Sequence, residues 1–113
     1  MPDHIRIYRA TGTWVVRAGG AVLAETRNAL ELHEGSALPV IYFPRGDVAM
    51  AFMDRSDSRS RCPFKGEAVY FDIVTPGARL KDAAWSYENP GDGLTSITGL
   101  VAFHPDRVTL ERI

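Results

Sequence analysis

Cys62-Pro63-Phe64-Lys65-Gly66-Glu67 is the densest run of chemically capable residues in this chain. Cys62 lies close in sequence to Arg59, Arg61 and Lys65, and nearby cations favour the thiolate, which is the nucleophilic form. The competing reading is a buried thiol that packs as a small apolar filler. No histidine stands beside it to act as a base, which favours that second reading. Lys65 is more distinctive, being one of only two lysines and set between an aromatic residue and a glycine. Cys62 and Lys65 are the candidate catalytic residues.

Tyr42-Phe43-Pro44-Arg45-Gly46-Asp47 is the second cluster. An arginine and a carboxylate flanking a glycine at a strand end suit a small ligand, and equally suit a turn that clasps itself. Trp85-Ser86-Tyr87-Glu88-Asn89-Pro90 is the third. Trp85 and Tyr87 share a strand face by the period of two, as core or as the wall of a pocket. The candidate ligand-binding residues are thus Tyr42, Arg45, Asp47, Trp85 and Tyr87. His4, His33 and His104 are isolated, so no metal site and no cofactor are expected. There is no GxGxxG, GxxxxGK[ST] or GxSxG. Gly35-Ser36 followed by Asp47 falls short of a nucleotidyltransferase pattern, because Ala49 stands where two-metal chemistry needs a paired carboxylate.

These residues must be positioned by strands. Alternating residues predict strands over Ile5 to Ala10 and over Ala29 to His33, where Leu30 and Leu32 alternate with Ala29, Glu31 and His33. Gly19-Gly20 between Thr13–Ala18 and Ala21–Thr26 predicts a tight hairpin. Val40 to Phe43 is apolar on both sides and should be covered on both faces. Pro44 to Asp47 reads as a turn or one helical turn, Val48 to Met53 as a strand in preference to a short helix, and Asp54 to Arg61 as a polar loop. Glu67 to Val74 is the strongest later strand, followed by a Pro76-Gly77 turn. Ala83 to Tyr87, Ile97 to Phe103 and Val108 to Ile113 complete the set. No helical period is sustained, so the expected fold is mainly β: a compact antiparallel two-sheet domain with little helix.

Composition bounds the function. The 113 residues suit one domain, spanning 1–113. With 45% hydrophobic and 24% charged residues the chain should fold. A net charge of −1 gives no global attraction to nucleic acid or anionic lipid. The arginines at 55, 59 and 61 are interleaved with Asp54 and Asp57, so this stretch reads as only weakly basic. Eleven of the thirteen basic residues are arginine, a bias that a GC-rich genome produces without functional cause. The N-terminal residues do not read as a signal peptide, no run approaches a spanning helix, and the lone thiol suits a reducing compartment. A cytoplasmic protein is expected.

The ordered set WVVRAGGAVLAET, YFPRGDV, CPFKGEAVYF, AWSYENP and ITGLVAF resembles the domain of unknown function 427 family of small, mostly bacterial proteins, over about Trp14 to Phe103. The resemblance implies a compact, mainly antiparallel β domain, similar to the β-tent folds, without the paired CxxC motifs that hold zinc in many of those. Its motif positions fall here on Tyr42, Pro44, Arg45, Asp47, Val48, Cys62, Pro63, Lys65, Gly66, Tyr70, Trp85, Tyr87 and Pro90. The family carries a nucleotidyltransferase label and implies no agreed reaction.

Two functions compete. One is a module binding a small molecule or a modified side chain, with Tyr42, Trp85 and Tyr87 as walls, Arg45 and Lys65 as donors, and Asp47 orienting one of them. The other is a small enzyme using Cys62 or Lys65 as nucleophile or acid/base. A nucleic-acid adaptor ranks last. The three clusters are expected to converge on one cleft, with Asp47 paired to a cation. Two bare cations ~4 Å apart would cost about 4 kcal/mol at an effective dielectric near 20.

Overall fold

The structure is a computed structural model and describes residues 4–113. Its strands are β1 (Ile5–Arg9), β2 (Trp14–Ala18), β3 (Ala21–Thr26), β4 (Leu30–Glu34), β5 (Val40–Tyr42), β6 (Met53–Cys62), β7 (Gly66–Thr75), β8 (Ala78–Tyr87), β9 (Val101–Phe103) and β10 (Thr109–Arg112). The helical content among the described residues is three single 3₁₀ turns, at Arg45–Asp47, Met50–Phe52 and Thr95–Ile97. The mainly β architecture is as the periodicity predicts. Among the described residues no helix is long and apolar enough to cross a membrane.

The strands form three antiparallel sheets rather than two, in the orders β1-β4-β5, β10-β2-β3 and β6-β7-β8-β9. Two of them are nearly continuous. Phe43 and Val101 exchange backbone hydrogen bonds of 2.8 and 2.9 Å and so join the end of β5 to β9. The resulting curved surface packs one face against β10-β2-β3, burying Val16, Leu23, Phe43, Phe71, Ile73 and Phe103. Its other face buries Ile5, Leu32, Tyr42, Ala68, Tyr87, Leu94 and Ile97. Strand alternation sends neighbours to opposite cores: Phe43 and Tyr42, or Phe71 and Tyr70. The β2–β3 hairpin turns through Gly19 (φ 56°) and Gly20 (φ 79°), positive angles that a primed turn demands.

Four segments differ from the sequence reading. Within Val48 to Met53 the short helical alternative forms, as a 3₁₀ turn over Met50–Phe52, and the strand begins only at Met53. Asp54 to Arg61 is no loop but the body of β6. Among the described residues this strand lies at a sheet edge, pairing only with β7. An edge strand needs no alternating apolar face, and charge along it discourages pairing with another chain. Its polar run therefore hides the strand. The Ile97 to Phe103 strand shortens to Val101–Phe103, preceded by a 3₁₀ turn, and β8 starts five residues earlier than Ala83.

Candidate functional site

Arg45 sits in the 3₁₀ turn that follows β5. Pro44 presets the backbone, and the Asp47 and Val48 amides donate to the Pro44 and Arg45 carbonyls at 2.9 and 3.1 Å. The Arg45 side chain leaves this turn and spans three other segments. Its Nε donates to the Gly99 carbonyl at 2.9 Å and its Nη2 to the buried Ser86 hydroxyl at 3.1 Å. Nη2 also lies 3.2 Å from a Glu88 carboxylate oxygen, and the guanidinium stacks 5.5 Å from the Phe71 ring centre. Asp47 takes no part and instead accepts the Thr26 hydroxyl at 2.7 Å. The expected pairing of Asp47 with a cation does not form among the described residues.

Glu88 links Arg45 to a larger feature. Its second oxygen accepts from Arg55. Burial alone would push the Glu88 carboxyl up, but the hydrogen bond and charge of Arg55, and then Arg45, hold it below the usual carboxylate range. Glu88 and Arg55 line a groove of about 560 Å³ together with Arg59, Arg61, Gly66, Glu67, Val69 and Asn89. The register of β6 explains the arginines. Arg55, Arg59 and Arg61 stand opposite Phe71, Val69 and Glu67, so all three share one face, and a bulge between Arg55 and Arg59 absorbs the intervening residues. Asp54 stands opposite Asp72 on the other face, with Arg79 against both carboxylates. Among the described residues Arg59 and Arg61 make no ion pair; Arg59 donates to the Ser56 and Ser58 carbonyls.

Lys65, Cys62, Tyr42, Tyr87 and Trp85 belong to the opposite face. The Lys65 ammonium donates to Glu34 at 2.7 Å, lies 5.6 Å from the Tyr87 ring centre and is only 13% exposed. His4 flanks the same Glu34 and packs its ring on Phe64. Lys65 thus fastens the β6–β7 hairpin tip to the end of β4. Cys62 is half-buried beside the second core, and Tyr42 and Tyr87 are inside it. Desolvation pushes the Tyr42 phenol up to about 12, a rise partly offset by hydrogen bonding from Trp85, and burial likewise raises Tyr87. Trp85 packs its ring 4.6 Å from that of His104. One cleft holding Arg45, Lys65 and Trp85 does not exist: Ser86 faces Arg45, so its neighbours Trp85 and Tyr87 face away.

A family model, described as domain of unknown function (DUF427), matches residues 6–113. The chain belongs to this family. No curated protein matches it. In this DUF427 protein no group of three or more metal-binding side chains gathers among the described residues. Sequence reasoning missed Ser86, Glu88 and the three groove arginines of β6. The signal for the arginines was their i, i+2 spacing at 59 and 61, which becomes informative once β6 is known to be a strand.

Proposed function

We propose that the protein is a binding module for a small anionic molecule, held in the arginine groove of β6, β7 and β8. The observation that carries this reading is the sorting of Arg55, Arg59 and Arg61 onto one concave face while Asp54 is turned away. Three guanidinium groups line the groove with the carboxylates of Glu67 and Glu88, and Arg45 pairs with Glu88 from beside it. The excess is cationic, and planar guanidinium groups offer paired donors to carboxylate or phosphate oxygens. The volume falls in the range of small-molecule pockets, roughly 300–1,000 Å³. With a net charge of −1 on the whole chain, the attraction is confined to the groove rather than spread for a long polyanion. Lys65 supports this reading over the enzyme alternative, because its charge is already taken by Glu34.

Thermal melts with millimolar phosphate or citrate test the proposal. Binding to the folded state raises the melting temperature, and the doubly substituted Arg59→Ala, Arg61→Ala protein should lose that rise. Equal responses from both proteins would show only the general exclusion of such anions from protein surfaces, and would end the reading. Native mass spectrometry of protein purified without added anions should then identify the bound species.

A further inference from the structure

The sheet opens where β5 and β9 part. Their ladder consists of the bonds exchanged by Phe43 and Val101. Continued by two residues, antiparallel pairing would set Ile41 opposite Phe103. Residues two apart on such a strand turn their backbone groups to the same side, so Ile41 and Phe103 aim theirs at each other across the opening. No bridge forms between them. Both residues are buried, and a buried backbone group needs a partner.

The opening leads into a cavity of about 170 Å³, away from the arginine groove. Val40, Ile41, Phe43, Trp85, Phe103 and Leu110 line it, and the rest of its wall is equally free of charged side chains. An apolar cavity of ~150 Å³ takes up a benzene molecule, so this one has room for a single ring with one or two further atoms. Phe43, Phe103 and Trp85 supply aromatic edges and faces for that ring. The unbridged seam of Ile41 and Phe103 turns backbone N–H and C=O groups toward one polar group on it.

We propose that this cavity is a second binding site, for a small single-ring aromatic molecule carrying one hydrogen-bonding group. Phenol is a suitable probe. In ¹⁵N-labelled wild-type protein, the Trp85 indole and the Ile41 and Phe103 amides should shift saturably with phenol. Trp14 is the internal control: it lies on β2 and donates its indole N–H to the Thr11 carbonyl. Its signal should stay in place. Val40→Phe and Leu110→Phe each push a ring into the cavity, and either should weaken phenol binding at least about tenfold. The proposal fails if Trp85, Ile41 and Phe103 do not move up to the solubility limit. It fails equally if Trp14 moves in step with them, or if a folded Phe variant binds phenol as the wild type does. Should one variant not fold, the other and the wild-type titration still decide.

Discussion

Arg45 satisfies a buried hydroxyl on β8 and a carbonyl in the Gly99 loop from a turn that precedes both by some forty residues or more. Removing it leaves Ser86, which is fully buried, without its donor. Arg45→Ala should therefore cost about 1–3 kcal/mol, the penalty for an orphaned buried polar group. Arg45→Lys should recover little, since one ammonium cannot reproduce the guanidinium fork. Urea denaturation of the two variants checks this, and full rescue by lysine would show that charge alone matters. By contrast Arg59 and Arg61 are exposed, and their alanine variants should stay within about 0.5 kcal/mol of wild type. The clusters around Tyr42, Cys62 and Trp85 were legible as unusual residues. Their separation was not, because which neighbour Ser86 or Lys65 meets depends on strands distant in sequence.

At the level of elements, β6, β7 and β8 are stitched where their ladders are irregular. Asp82 adopts φ 49°, an uncommon angle for a residue other than glycine. Its carboxylate accepts the Ser56 and Ser58 hydroxyls at 2.6 Å each, while its amide donates to Asp72 at 2.8 Å. Hydrogen bonds from Ser56, then Ser58, hold the Asp82 carboxyl below the usual carboxylate range. Asp82→Ala keeps the strained backbone and loses the bonds, so it should destabilise by about 1–2 kcal/mol; Asp82→Gly, which relieves the strain, should cost less. Chemical denaturation ranks the pair. Asp82 and Glu88 share a sign. A lowered folded pKa contributes stability above the unfolded value and loses it as pH falls, so melting temperature should drop below about pH 4. The sequence announced the interior strands through their apolar alternation and the hairpins through their glycines. It concealed β6, whose one free edge and serine-arginine alternation resemble a loop until β7 supplies the partner.

For the molecule as a whole, the second core is closed by phenols that must stay neutral. A raised folded pKa contributes stability that is complete below the unfolded value of about 10 and lost as pH rises through the folded one. For Tyr42, at about 12, the rise corresponds to roughly 3 kcal/mol lost across that window. Ultraviolet titration of the four tyrosines should show Tyr42 and Tyr87 ionising only near or above pH 12, together with unfolding. Normal titration of all four near pH 10 would contradict the buried cluster. The same core is fastened by Lys65 and Glu34, and a double-mutant cycle of Lys65→Met and Glu34→Gln should give a coupling of about 1 kcal/mol. Beside Lys65 the hairpin tip meets the loop after β8 at backbone distance. A β-carbon on Gly91 would sit 2.4 Å from the Phe64 carbonyl oxygen, and one on Gly66 would sit 3.1 Å from that of Asn89. Hairpin tips are ordinarily where chains accept insertions and drift in length. Here the tip is locked from two sides, so that freedom passes to the exposed Pro76-Gly77 turn at the other end of β7. A library of inserted residues should be depleted at Phe64 to Gly66 and tolerated at Pro76-Gly77.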